Sequence, residues 1–251
     1  MSRLRSGPLA AWTTAWLAGH AASDDVLLAA SGGDAPHQVA GTGVGAEFVP
    51  LSQVLVAWRR AGGSVRLVLP VAGDVRGLPG PLEFRSAALQ AGEAVFGATL
   101  GIVPSVIEHA PSSAAPTVLW QAFDVTPAPP DFIAVTDAQY ELTSEIRESA
   151  TALSAANVAG RIEDIADALH EARRAGEHLN LPPAFPPRAV ALIAQAERLQ
   201  AVLDLAAQDP TGGAIDRSGI AARREALRPL ATAVRRARLA GYNALADGPP
   251  S

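Results

Sequence analysis

The pattern of hydrophobic and polar positions changes about halfway along the chain. Before residue 126, short apolar runs are separated by segments rich in glycine and proline, which is typical of strands and turns. Beyond residue 130, apolar residues recur at spacings of three and four, which is typical of helices with one buried face. This pattern predicts an α+β protein: an N-terminal mixed or antiparallel sheet flanked by helices, followed by a C-terminal antiparallel helical bundle.

The strongest strand signal is VRLVLPV at 65–71, and we expect it to form the central strand. The other predicted strands are 37–40, 93–96, 100–109 and 117–125, and the helices between them are 9–17, 26–30, 51–60 and 84–90. Close spacing of the later strands indicates hairpin connections. The glycines of GTGVG (41–45) lack the spacing of a phosphate-binding motif, so a loop is expected there.

The helix at 51–60 has the clearest amphipathic pattern of the first half. Leu51, Val54, Leu55 and Trp58 fall on one face, while two arginines occupy the last turn and Gly62 is placed to end the helix. These four residues are therefore predicted to face the core.

A change of composition marks the best domain boundary. The sequence TPAPP at 126–130 predicts a proline-rich linker between a sheet domain at 1–126 and a helical bundle at 131–247. Four helices are predicted beyond it: 136–155, a second beginning at Asn157, 188–208 and 216–246.

Composition and spacing exclude several classes of chemistry. Cysteine is absent and all 20 residues counted as lysine or arginine are arginine, so thiolate chemistry, a Schiff-base lysine and a phosphate-loop lysine are excluded. His170-Glu171 begins like the zinc-binding HExxH motif, but Arg174 stands where the second histidine is needed. We therefore predict neither a metal nor a cofactor.

Two features bear on the cellular location. No apolar run approaches the ~18 residues that a membrane span needs. The first residues loosely imitate a signal peptide, but two threonines interrupt the apolar core, and Leu9, Trp12, Trp16 and Leu17 share one helical face. A core helix in a cytoplasmic protein, without membrane attachment, is the prediction.

The first functional candidates lie in the loop after the predicted central strand. Arg76 has the geometry to bind a carboxylate or phosphate, and Asp74 would orient it or act as a base. The alternative is that Asp74 and Arg76 pair with each other. Glu108 and His109, at the end of the strand 100–109, are acid–base candidates, although neighbours on a strand point to opposite faces.

Charge is divided unevenly within the helical half. Residues 131–180 carry a net charge of −6, whereas residues 211–247 carry +4 from seven arginines and three acids. Clustered arginines suit nucleic-acid phosphates, but the chain is acidic at −5 and Tyr242 is the one aromatic residue among them. Pairing of the basic helix with the acidic helices is favoured, and nucleic acid is an unlikely partner.

Three stretches carry a resemblance to a known family. RLVLPV-GDVRGLPG, the following AALQAGEAV and the later VIEH resemble a family of uncharacterised actinobacterial proteins. The resemblance is plainest from the N-terminal helix to the first C-terminal helices. It implies a bacterial, intracellular protein and implies no activity, cofactor or partner.

Three functional hypotheses follow from the sequence. The first is a non-catalytic protein that binds a ligand or partner, with self-association through the helical bundle. The second is an enzyme that acts on a small anionic substrate at Asp74 and Arg76, and the third is a nucleic-acid-associated protein. The absence of a complete catalytic constellation favours the first.

Overall fold

The computed structural model describes residues 3–41, 45–107, 115–126, 128–155, 179–208 and 217–248. Within them the chain forms one six-stranded sheet and seven helices. The sheet lies in the N-terminal part and the long helices in the C-terminal part, so the predicted α+β class is confirmed.

The chain divides into two compact units. The sheet unit consists of Arg3–Phe132, Asn180–Pro186 and Tyr242–Ser251, and the helical unit consists of Met1–Ser2, Ile133–Leu179 and Pro187–Gly241. The predicted domains, 1–126 and 131–247, stay a prediction. Two short segments beyond residue 131 belong to the sheet unit.

The sheet is mixed, as the sequence predicts. Its strands are β1 (Gln38–Gly41), β2 (Gly45–Pro50), β3 (Arg66–Val68), β4 (Ala94–Phe96), β5 (Leu100–Ile107) and β6 (Thr117–Asp124), in the order β2-β1-β6-β5-β4-β3. β1 pairs with β6 in parallel, and the other neighbours are antiparallel.

The prediction of a central strand at 65–71 is wrong. β3 contains three residues and lies at the edge of the sheet. Its apolar character has another cause: Val65, Leu67, Val68 and Leu69 are all buried, although none of the described strands covers the outer edge. A continuous apolar run indicates that both faces of a strand are buried. An edge strand also has two buried faces when other elements cover it.

β2 was not predicted as a strand. Its described side chains are mostly exposed, so the apolar signal of a buried strand is missing. Gly41 and Gly45, assigned to a loop by the sequence, belong to β1 and β2, and 42–44 lie outside the described residues. Gly41 has φ +127°, and a Cβ there would lie 2.4 Å from the carbonyl oxygen of Ala122. Glycine at this position thus permits the close approach of β1 to β6.

Four helices flank the sheet: α1 (Ser6–Leu17), α2 (Ser23–Ser31), α3 (Leu51–Ala61) and α4 (Leu82–Ala91). α1 is buried along most of its length, which confirms the predicted core helix. The buried residues of α3 are the four that the sequence placed on its inner face. Trp58, on that face, donates its Nε1–H to the carbonyl of Leu100 at 2.9 Å and so fixes α3 to β5.

The helical unit contains α5 (Val135–Ala155), α6 (Pro187–Gln208) and α7 (Arg217–Tyr242). These helices share one apolar core, formed mainly by Leu142 of α5, Leu192 of α6 and Val234 of α7. The helix predicted from Asn157 lies outside the described residues, and the antiparallel bundle stays a prediction. Among the described residues, none of the helices combines the length and apolarity that a membrane crossing requires.

Candidate functional site

Backbone hydrogen bonds stabilise the Asp74/Arg76 loop, residues 72–81, near its start and near its end. Val71 and Asp74 exchange two backbone hydrogen bonds of 3.2 and 2.9 Å around a tight turn. Gly80 and Thr126 exchange another two, of 3.3 and 3.2 Å, just before the cis Gly80–Pro81 peptide. The loop is therefore held in a defined conformation.

Asp74 and Arg76 are each other's partners in this loop. Arg76 donates from Nε to Oδ1 of Asp74 at 2.8 Å and from Nη2 to Oδ2 at 2.9 Å, a bidentate pair. The Asp131 carboxylate lies 3.8 Å from the same Nε. The Arg76 side chain is 54% exposed and that of Asp74 is 20% exposed. This geometry matches the pairing alternative, and a role in anion binding stays a prediction.

Glu108 and His109 lie outside the described residues, because the description of β5 ends at Ile107. The structure therefore does not place them relative to Asp74 and Arg76. Their proposed role in proton transfer stays a prediction.

Four exposed apolar side chains lie within the Asp74/Arg76 loop, next to it in the chain, or next to a residue that approaches it. Val71 precedes the ion pair and Val75 stands between its two residues, and Leu82 follows the loop with 73% of its surface exposed. Phe132 is 62% exposed and follows Asp131, whose backbone nitrogen lies 3.0 Å from a Cβ built at Gly77. We call Val71, Val75, Leu82 and Phe132 the apolar rim of the loop.

A buried polar network in the sheet unit was missed by sequence reasoning. Its first part is at the start of α1, where Glu93 accepts hydrogen bonds from the backbone N–H groups of Arg5 and Ser6 at 3.0 and 2.7 Å. This carboxylate satisfies donors that a helix N-terminus leaves free and complements the positive end of the helix dipole.

The second part of the network joins α1 to the segment before β1. Arg5 forms a bidentate pair with Asp34, with Nε–Oδ2 at 2.8 Å and Nη2–Oδ1 at 3.1 Å. Asp34 also faces His37 Nε2 at 3.4 Å, and Trp120 of β6 donates its Nε1–H to His37 Nδ1 at 3.1 Å. Arg5, Asp34 and His37 are all buried at the side chain, so the network lies inside the fold.

The charges of this network shift two pKa values. Burial disfavours the charged carboxylate of Asp34, but the hydrogen bonds and charge of Arg5 outweigh it, so the pKa of Asp34 falls below its ordinary value. Burial lowers the pKa of His37, and Arg5 and Arg3 add to that effect, while Asp34 opposes it. Both ring nitrogens of His37 have hydrogen-bond partners, so the His37 ring itself is not a free base.

The helical unit pairs part of its positive charge internally. Arg236 of α7 contacts Glu141 of α5 at 2.8 Å, and Arg238 contacts Glu197 of α6 at 3.0 Å. A groove of about 400 Å³ also runs along α5, and its described lining residues all belong to that helix, including Tyr140 and Arg147. Among the described residues no cluster of potential metal ligands occurs.

Comparison with known proteins identifies relatives over nearly the whole chain. The model of "Rv1486c-like protein, N-terminal domain" matches residues 6–138, and that of "Rv1486c-like protein, C-terminal domain" matches residues 136–239. Uncharacterised proteins from the CDC 1551 and H37Rv strains of Mycobacterium tuberculosis are each 32% identical to the chain, over 94% of it and 95% of the relative. An uncharacterised Mycobacterium leprae protein is 29% identical with the same coverage. No solved structure matches the chain.

Proposed function

Since the chain belongs to the Rv1486c-like protein family, a group of uncharacterised actinobacterial proteins, we propose that it is a non-catalytic binding or scaffold protein of the bacterial cytoplasm. Its partner is a protein surface, either of another protein or of a second copy of the chain. The apolar rim around the Asp74/Arg76 loop is the surface that meets this partner.

One observation carries the proposal: an ion pair that is already formed lies beside exposed apolar side chains. Because the Nε and Nη2 donors of Arg76 already bind the carboxylate of Asp74, Arg76 presents little unmatched charge to a small anion. The apolar rim instead offers large side chains that lose contact with water when a partner covers them. Protein interfaces combine such apolar anchors with charged groups at their margin.

Site-specific photo-crosslinking in the bacterial host tests the surface directly. A photoreactive residue replaces Val75 in the full chain, and Leu28, an apolar residue of α2 that is more exposed than Val75 (72% against 47%), is the control position. We expect one discrete crosslinked product from position 75, none from position 28, and loss of the product in the Leu82→Ser/Phe132→Ser double variant. A crosslinked product with twice the chain mass of 25.8 kDa identifies a second copy as the partner, and a product of another mass identifies a different protein.

A crosslinking pattern that is the same at both positions contradicts the proposal. So does a product that survives the double variant. In that case self-association through the helical unit, which remains a separate prediction, is measured by sedimentation velocity of the full chain.

The enzyme alternative makes a different prediction for Arg76. If the loop binds small anions, inorganic phosphate at millimolar concentration shifts the NMR signals of residues 72–81, and Arg76→Ala abolishes the shift. If the loop binds a protein, phosphate leaves these signals unchanged. Arg76→Ala changes the free energy of unfolding by no more than about 1 kcal/mol in either case, because exposed ion pairs contribute little. A larger loss indicates a structural pair instead.

A further inference from the structure

His37 is held between a hydrogen-bond donor and a hydrogen-bond acceptor. Trp120 Nε1 is always a donor, so the Nδ1 atom of His37 that it meets must be unprotonated. The Nε2 atom faces a carboxylate oxygen of Asp34, which accepts. These two partners assign the neutral tautomer with its proton on Nε2.

Protonation of the ring would create a conflict on the Trp120 side alone. A second proton on Nδ1 points at the Nε1–H of Trp120, and two donors cannot bond to each other. On the other side, the imidazolium still donates to Asp34 from Nε2. Asp34 remains ionised at mildly acidic pH because Arg5 lowers its pKa.

The described charged groups that act on His37 come from two elements. Asp34, in the segment before β1, favours the protonated ring, whereas Arg5 and Arg3, at the start of α1, oppose it together with burial. β6 contributes Trp120, which does not titrate. The balance lowers the pKa of His37 below its ordinary value of about 6.5.

We propose that His37 is an acid-sensitive latch: protonation of its ring breaks the hydrogen bond from Trp120 and releases the first residues of β1 from β6. The position of His37 makes the effect local. Gln38, the next residue, begins the parallel pairing, and Val39 lies opposite Trp120 itself. The Arg5–Asp34 pair continues to hold the segment before β1 to α1.

The direction of the pH dependence follows from the lowered pKa. In the closed state Trp120 bonds to His37, and in the opened or unfolded state it does not. As the pH falls below about 6.5, His37 binds a proton in the opened or unfolded state before it does so in the closed state. The latch therefore stabilises the pairing fully above that pH and loses its effect as the pH falls toward the lower pKa of the closed state. Each unit of separation between the two pKa values is worth about a tenfold change in the opening equilibrium.

The test is an NMR titration of the full chain from about pH 7.5 to about pH 4.5, a range that spans the ordinary histidine pKa. We follow the indole N–H of Trp120, the backbone amides of β1 and, as an internal reference, the amides shared by β4 and β5. The hydrogen-exchange rates of these N–H groups are corrected for the intrinsic dependence of amide exchange on pH. We expect reversible loss of protection at Trp120 and β1, while β4 and β5 keep theirs. Equal loss in all strands, or no loss at β1, overturns the latch.

Two variants separate His37 from the other histidines. His37→Gln retains a donor and an acceptor but does not titrate, so its β1 amides should keep their protection through the acid range. His20→Gln is the matched control, since His20 is exposed, and it should respond as the parent does. An unchanged acid response in His37→Gln overturns the proposal. If His37→Gln is unfolded at neutral pH, the proposal is judged by the NMR titration of the parent chain alone.

Discussion

The side-chain amide of Asn243 forms two hydrogen bonds with the backbone of Leu67. Its Oδ1 accepts from the Leu67 N–H at 2.8 Å, and its Nδ2 donates to the Leu67 carbonyl at 3.0 Å. Thr14 Oγ1 does the same for Val65, donating to its carbonyl at 2.8 Å and accepting from its N–H at 3.3 Å. Two side chains thus replace a neighbouring strand at the β3 edge, and the exposed backbone that invites edge-to-edge pairing is absent there.

Asn243→Ala should destabilise the sheet unit. The substitution leaves the buried N–H and carbonyl of Leu67 without these partners, at about 1–3 kcal/mol for each group left unsatisfied. Urea unfolding of the full chain measures the loss. Asn180→Ala is the control, because Asn180 is exposed and accepts the hydrogen bond from Trp12 Nε1 with its backbone carbonyl, which the substitution keeps. Equal stability of the two variants would show that the Asn243 amide is dispensable.

Val68→Asp should be among the most damaging single changes in the sheet unit. Val68 is buried in the cluster that contains Leu78 and Phe84, so an aspartate there must lose its hydration or force the cluster open. The cost is several kcal/mol, about the scale for burying an unmatched polar or charged group. Val71→Asp, at an exposed position, serves as the matched control. Soluble yield and urea unfolding report the difference, and a stable Val68→Asp protein would contradict the burial of β3.

Asp34→Asn should destabilise the protein at neutral pH and less so in acid. The variant leaves the buried Arg5 guanidinium without its main counter-charge, at a cost of about 3–5 kcal/mol. In the parent, the contribution of the carboxylate is present above about pH 3.9 and is lost as the pH falls through the lowered pKa of the folded state. The difference between parent and variant should therefore shrink between pH 7 and pH 3.

Urea unfolding at the two pH values measures that change. Asp24→Asn, at an exposed position in the first turn of α2, should cost less than about 1 kcal/mol at pH 7. A pH-independent loss in Asp34→Asn would mean that the charge of Asp34 is not what Arg5 requires.

The full chain should not bind generic DNA or RNA at physiological salt. Arg236 and Arg238 are paired with glutamates of α5 and α6, and the charge that remains on the chain is negative. A double-mutant cycle on Arg238 and Glu197, whose side chains are only 12% and 16% exposed, should give a coupling above the roughly 0.2–1 kcal/mol of exposed pairs, and it should decline only slightly with added salt. A fluorescence titration with duplex DNA at two salt concentrations completes the test. Micromolar binding that collapses at the higher salt would favour a free basic face instead.

Local pattern predicted the elements whose burial follows from nearby residues. The spacing of Leu51, Val54, Leu55 and Trp58 gave both the helix α3 and its inner face, because helical periodicity acts within a few turns. The segments of β4, β5 and β6 could also be predicted from local sequence, as short apolar runs between turn residues. These strands are consecutive in the chain and adjacent in the sheet, since β4 pairs with β5 and β5 pairs with β6.

Relations between distant residues could not be read in this way. Nothing around Leu67 indicates that an asparagine 176 positions away will bind the backbone of its strand, so the local pattern does not distinguish this edge strand from a central one. The pairing of Arg5 with Asp34 gave no signal either, because each charge taken singly suits an exposed turn or helix end. For the candidate site, the sequence offered Asp74 and Arg76 with two alternatives, and the choice between them depends on side-chain geometry.

The hydrogen bonds between Asn243 and the backbone of β3 can form only late in the synthesis of the chain. A ribosome delivers Leu67 first and Asn243 only 176 residues later, after the segments of α5, α6 and α7. At roughly 5–20 residues per second, the nascent sheet waits about 9–35 seconds with that edge incomplete. A message that stops before codon 243 releases a chain whose β3 edge is permanently open, and such chains should depend on chaperones or proteases rather than accumulate.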